Sequence, residues 1–112
     1  MSIQSMIEAV VKPVVPEIAR GEYTGEADVF CVWEATVTGA AHGDNSCSVA
    51  AYAVFLNLVT PFEGDPQPTI DRLCAAICTE DLFSTPTVEH VESDEQNGYR
   101  EYLIEFTALI RG

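Results

Sequence analysis

The chain has 112 residues, 47% of them apolar, and its 18 acidic against 5 basic side chains give a formal charge of −13 at neutral pH. This length suits one domain with a single hydrophobic core, and the apolar content is too high for a disordered acidic tail. Nucleic-acid binding draws most of its affinity from cations set against phosphates. We therefore expect neither direct DNA or RNA binding nor docking on an anionic membrane.

No export signal or membrane-spanning segment is expected. The N-terminus lacks a basic region, and Glu8, Lys12 and Pro13 interrupt any apolar stretch that could follow it. Residues 45–62 carry no charge over 18 positions, close to the lower limit for a spanning helix, but their strand-favouring residues predict an internal strand. We expect a chain of the reducing cytosol, where disulfides rarely persist.

The first predicted element is a short amphipathic helix over residues 2–11, which ends before Pro13 and Pro16. The polar stretch 17–28 follows as an exposed connector. A hairpin is then predicted from two apolar runs, 29–38 and 46–60, with a loop over residues 39–45. The second strand would span about 45 Å, more than a domain of this size needs, so we expect a bulge, a bend or a protruding hairpin arm, with Ala50-Ala51 as the place.

The clearest helix covers residues 66–79, and Asp65 is placed to cap it. A closing hairpin follows, with strands at 87–92 and 99–110 around the turn pair Asn97-Gly98. The apolar stripe of the helix comprises Ile70, Leu73, Cys74, Ile77 and Cys78. The inward-facing residues of the last strand are Tyr102, Ile104, Phe106, Ala108 and Ile110.

These elements predict one α+β domain spanning residues 1–112, with the order α-β-β-α-β-β. Two hairpins would form a single antiparallel sheet, and the two helices would pack on one of its faces. This is the simplest arrangement that buries the apolar stripes of both helices.

The four cysteines favour neither a disulfide framework nor a metal site. The spacing of Cys74 and Cys78 could suit metal ligands on a helix, but no further cysteine or histidine lies near them in the sequence. Since both fall on an apolar stripe, we expect them, like Cys31 and Cys47, to be buried structural thiols.

The histidines give no persuasive catalytic constellation. His42 lies beside Asp44 and near Ser46, an arrangement that could suit acyl transfer but is also ordinary turn chemistry. His90 lies in the acidic stretch 89–95, which lacks the ligand spacing of an EF-hand calcium loop and is expected to be a solvated turn. We predict no catalytic, metal or cofactor-binding residue, and no enzyme.

Apolar area is left over on the second face of both long strands once the helices cover the first. On a small soluble protein such area usually marks a surface for a partner. The residues predicted to form an oligomer interface are Phe30, Val32, Val49, Phe55, Val59 and Leu103.

The element order and four local phrases resemble the small tail-completion and tail-terminator proteins of long-tailed bacteriophages and prophages. The phrases are IQSMIEAV at 3–10, YAVFLNL at 52–58, IDRLCAAI at 70–77 and NGYREYLIEF at 97–106. The resemblance implies a structural protein without a catalytic site. It would form a ring, expected to have six copies, that ends the tail tube and joins it to the neck or head connector.

Such a ring would assemble in the host cytoplasm and end in the virion tail. Six copies, at −13 each, would carry a formal charge of −78, which could repel DNA from the wall of a lumen. The alternative is a stand-alone acidic binding module that mimics nucleic acid or inhibits an enzyme. That alternative predicts a monomer or dimer with carboxylates spaced along one exposed face, whereas the ring predicts charge segregated from apolar side surfaces.

Overall fold

A computed structural model describes residues 2–42 and 48–111, with only the backbone described at residues 39–42, 48 and 111. One sheet and two helices account for most of this part of the chain. The elements are α1 (Ile3–Val11), β1 (Ile18–Arg20), β2 (Phe30–His42), β3 (Ser48–Pro61), α2 (Gln67–Cys78), β4 (Thr87–Asp94) and β5 (Tyr99–Arg111).

The sheet has five strands in the order β1-β2-β3-β5-β4. Both predicted hairpins are present as antiparallel pairs, and β3 also pairs antiparallel with β5. The prediction of a purely antiparallel sheet is wrong, because β1 pairs parallel with β2. β1 lies within the segment 17–28 that was predicted as a connector. It has three residues, too few to show an alternating pattern. The order is therefore α-β-β-β-α-β-β, and the α+β class is confirmed.

The core lies between the helices and one face of the sheet. Alternate residues of β3, including Val54, Leu56 and Leu58, are buried, and Ile104 and Phe106 of β5 are buried opposite them. The buried side chains of α1 and α2 join this single cluster. Both helices therefore cover the same face, as predicted. The face residues contributed by the helices are Met6, Ile7, Val11, Ile70, Leu73 and Ile77.

Local capping fixes where the helices begin. The Ser2 hydroxyl accepts a hydrogen bond from the Ser5 amide at 3.1 Å, at the start of α1. The Asp65 carboxylate accepts one from the Gln67 amide at 3.0 Å, but the N-cap of α2 is Pro66 and not Asp65, so the helix begins one residue later than predicted. Satisfying these otherwise unpaired amides stabilises the first turn of each helix.

The cysteines differ from the prediction of four buried thiols. Cys31 is buried, but Cys74 is half-buried and Cys78 is exposed, because both lie at the side of the buried line of α2, which runs through Ile70, Leu73 and Ile77. Cys47 lies outside the described residues.

The central strands extend beyond the helices as an arm. The molecule measures 55 × 25 × 22 Å, and Val37, on the helix-covered face of β2, is 61% exposed because neither helix reaches it. A bulge occurs in β2 between Val37 and Gly39, opposite Ala51. The predicted bulge therefore lies on the partner strand, and residues 39–42 continue β2 instead of forming a loop; residues 43–45 lie outside the described residues.

We expect the thiols to differ sharply in reactivity. Burial raises the pKa of Cys31 to about 12, and a thiol must ionise to react. With Cys47→Ser as background, iodoacetamide at pH 8 should label Cys78 in the native protein and leave Cys31 unlabelled until urea is added. Peptide mass spectrometry measures this, and equal labelling of both in the native state would contradict the described core.

Candidate functional site

The uncovered face of the sheet carries the six residues predicted as an interface. Strand register places Phe30 beside Val59 on the face opposite the core. Counting only the pairs on that face, Phe55 lies two pairs further along β3. None of the six belongs to the buried core cluster, and Phe55 is 37% exposed. Described side chains thus agree with the predicted face, while its use as an interface stays a prediction. The other three residues of the set are Val32, Val49 and Leu103.

Carboxylates border the apolar residues on this face. Phe55 of β3 pairs with Glu34 of β2 on one side and with Glu105 of β5 on the other. Four residues along β3, Val59 pairs with Glu101. The Asn57 amide donates a hydrogen bond to the Glu101 carboxylate at 3.3 Å. The face is therefore a mostly apolar stripe along β3, interrupted by Asn57, with acidic residues on both flanks; its apolar residues are Val49, Ala51, Ala53, Phe55 and Val59.

The described basic side chains do not neutralise these carboxylates. The Arg20 guanidinium lies 4.7 Å from the centre of the Trp33 ring, on the helix-covered face according to strand register. Arg100 likewise lies over the Phe62 ring at 4.8 Å. Among described residues the one ion pair joins Lys12 and Glu8 within α1 at 3.6 Å. Pairing this face with the same face of a second copy would therefore oppose like charges.

A groove of about 560 Å³ occupies one end of the uncovered face. Its floor is the sheet surface of Phe30, Val32 and Val59, and its walls include Tyr23 from the loop 21–28 and Tyr99 from β5. The sequence prediction of a plain exposed connector missed this loop. The signal that could have identified it is an aromatic residue between two glycines, Gly21-Glu22-Tyr23-Thr24-Gly25.

Several contacts hold Tyr23 and the loop 21–28 in place beside the groove. The Tyr23 ring stacks on Phe30 with 4.2 Å between ring centres and 16° between planes. Its hydroxyl accepts a hydrogen bond from the Ala27 amide at 3.0 Å and donates one to Glu17 at 3.4 Å. A Cβ at Gly25 would collide with the Tyr23 ring and hydroxyl. Tyr23 is thus fixed in place as one wall of the groove.

The wall of the groove opposite Tyr23 is formed by a second tyrosine, Tyr99. The Tyr99 hydroxyl donates a hydrogen bond to the Glu92 carboxylate at 3.3 Å. Desolvation and the nearby Glu92 charge raise the pKa of Tyr99 above its usual value. Tyr99 therefore remains a neutral phenol at physiological pH.

The outer edge of β2 forms a second feature of this side of the molecule. The Cys31 amide and the Trp33 carbonyl bond towards the β1 segment, to Glu17 and Gly21. Since backbone groups alternate sides along a strand, those of Ala35 and Val37 point the same way, past the end of β1. In the described part of the chain no strand pairs with this edge beyond Trp33.

The histidines do not form a site in the described residues. His90 is exposed, with its Nε2 atom 2.7 Å from the Ser93 hydroxyl and its ring 5.0 Å from that of Tyr102. The side chain of His42, with Asp44 and Ser46, lies outside the described residues. Within residues 2–42 and 48–111 no group of three or more His, Cys, Asp or Glu side chains could hold a metal ion.

Most of the acidic stretch 89–95 lies in β4, which ends at Asp94, and a turn with its own hydrogen bonds follows at residues 95–98. The Asp94 carboxylate accepts hydrogen bonds from the backbone and side-chain amides of Asn97, at 3.0 and 2.7 Å. These bonds lower the pKa of Asp94. Gly98 completes the turn with a φ of +79°, a conformation that glycine adopts without strain. The stretch is mostly exposed, as expected, but residues 89–94 form a strand instead of the expected turn, because they pair with β5.

Neighbouring residues of β3 should differ in their importance for stability. We expect Leu56→Ala to lower the free energy of unfolding by about 2–5 kcal/mol, because Leu56 is fully buried. Phe55→Thr should cost about 1 kcal/mol, since Phe55 lies on the uncovered face and threonine favours strands. Urea unfolding of the dilute protein measures both, and equal costs would contradict the assignment of the two faces.

No protein-family model matches the chain, and a search of curated proteins also finds no match. None of the helices in the described residues is long and apolar enough to cross a membrane.

Proposed function

We propose that this chain is a structural subunit of a bacteriophage or prophage tail, assembling into a ring that ends the tail tube and joins it to the head connector. The observation that carries the proposal is the outer edge of β2 on the projecting arm, with which no strand of the described residues pairs beyond Trp33. From Ala35 to His42 this edge contains no Asp, Glu, Lys, Arg or Pro. Natural proteins protect exposed edges with charge, proline or a bulge, or cover them. This edge has the bulge between Val37 and Gly39 but no charge or proline, and an uncharged edge of this length supports a role in assembly.

The opposite edge of the sheet supplies a suitable partner strand. β4 forms that edge and is exposed along most of its length. It carries Glu89, Glu92 and Asp94, so it would repel a second acidic strand and accept an uncharged one. Pairing β2 of one copy with β4 of the next is a head-to-tail contact, and repeated head-to-tail contacts close into a ring when their rotation permits.

The resemblance of the sequence to tail-terminator proteins supplies the biological part of the proposal. It suggests six copies, contacts with tail-tube and neck proteins, assembly in the host cytoplasm and a final place in the virion tail. The acidity suits a lumen through which DNA passes without binding the wall. Neither a catalytic residue nor a cofactor is part of this function.

A second function, a stand-alone acidic binding module, is favoured by one specific observation. Glu34, Glu101 and Glu105 alternate with apolar residues on the uncovered face, whereas a ring interface was expected to keep charge away from its apolar surfaces. An apolar stripe with acidic flanks matches a basic partner. This module would be a monomer or dimer that binds the partner through the uncovered face.

Multi-angle light scattering distinguishes the two functions. For the ring we expect a mass of about six times 12.2 kDa, stable on dilution and favoured by salt, because salt screens repulsion between acidic copies. Val37→Glu should yield monomers, since it places a carboxylate at the free edge. Ala75→Glu adds the same charge on the exposed side of α2 and should assemble like the unmodified chain.

One result would contradict the ring, and another would contradict the contact through β2. Only monomer and dimer at every concentration and salt level would favour the acidic binding module. Unchanged assembly of Val37→Glu, with thermal unfolding like that of Ala75→Glu, would show that the β2 edge is not the contact.

A further inference from the structure

The groove at the end of the uncovered face is acidic as well as aromatic. Glu22, Asp28 and Glu101 line it together with the tyrosine walls. No basic residue is among its lining residues, and the one ion pair of the described residues lies in α1. An anionic ligand such as a phosphate would be repelled from this groove, whereas a cation would gain from every one of its carboxylates.

The aromatic rings that line the groove, Tyr23, Phe30 and Tyr99, indicate which type of cation fits it best. A guanidinium group stacks on aromatic rings and binds carboxylates through paired N–H donors. Its methylene stem can lie on an apolar floor, which Val32 and Val59 provide. A lysine ammonium is more strongly hydrated and loses more on leaving water. The groove therefore matches arginine better than lysine.

We propose that this groove receives an arginine side chain of a different, basic protein that covers the uncovered face. The inference goes beyond the ring proposal and does not depend on it, because the groove and the β2 edge are separate surfaces. The groove floor is continuous with the apolar stripe of β3 through Val59. A partner segment that inserts arginine here can therefore place apolar residues along the stripe.

A second copy of this chain is a poor occupant. Of its described basic side chains, Arg20, Arg100 and Lys12 already contact Trp33, Phe62 and Glu8, which leaves Arg72 on the exposed side of α2. The rest of a copy would bring mainly carboxylates towards the acidic groove, at −13 for each chain. Charge complementarity thus selects a partner of opposite charge.

The groove is built before any ligand arrives, which reduces the entropic cost of binding. Tyr23 is held by Phe30, the Ala27 amide and the close approach of Gly25. We therefore expect Gly25→Ala, which displaces Tyr23, to weaken binding without removing any charge.

The test uses the peptide acetyl-Gly-Leu-Arg-Leu-Gly-amide and its neutral citrulline analogue. TROSY amide spectra of the ¹⁵N-labelled full chain report binding in a ring or a monomer, so failure of the ring proposal leaves this test readable. We expect the arginine peptide to shift the amides of Tyr23, Phe30, Val59 and Tyr99. The citrulline peptide should bind at least tenfold more weakly, and 500 mM salt should weaken the arginine peptide several-fold.

Matched variants separate the groove charge from the overall charge. Asp28→Asn with Glu101→Gln should weaken the arginine peptide at least fivefold. Asp81→Asn with Glu63→Gln removes the same charge at exposed positions outside this groove and should bind as the unmodified chain does.

Three results would overturn the proposal. They are equal binding of the arginine and citrulline peptides, no shifts at groove amides, and equal losses in both double variants. Tighter binding of spermidine than of the peptide at the same amides would assign the groove to a free polyamine instead of a protein partner.

Discussion

Both helices pack on the same face of the sheet, and this one-sided cover determines the properties of the rest of the molecule. It buries alternate residues of β2, β3 and β5, including the fully enclosed Leu56 and Trp33. The other set of alternate residues is left facing outward, where Phe55 stays 37% exposed between two glutamates. Successive side chains of a strand point to opposite faces of the sheet. The second face is therefore also largely apolar, and its apolar residues can be buried by binding another molecule.

The packing of both helices on one face also separates the charged side chains. Carboxylates flank the apolar stripe and line the groove, while Arg20 and Arg100 are held over aromatic rings at the edges of the helix-covered face. The uncovered face therefore disfavours contact with its own copy and favours a basic partner. The uncharged β2 edge is free of this repulsion, so copies can meet there. One molecule thus offers an edge suited to self-assembly and a face suited to another protein.

Much of this fold could be predicted from the sequence because its long elements repeat their patterns. The alternation around Trp33 and Leu56 and the helical spacing of Ile70 and Leu73 indicated the core and the uncovered face. β1 could not be predicted because three residues cannot show an alternating pattern. The bulge lies in β2 and not in β3 as predicted, because its position depends on how the two strands pair. The groove was missed because Tyr23 is far in sequence from Tyr99 and Glu101 of β5, and strand register brings them together.

Amide hydrogen exchange along the outer edge of β2 tests the central claim most directly. If copies assemble through this edge, the Ala35 and Val37 amides should exchange rapidly in dilute, low-salt protein. The same amides should be strongly protected at high concentration and high salt, while Leu56 in the core exchanges slowly under both conditions. Equally rapid exchange of Ala35 and Val37 at every concentration would contradict the account.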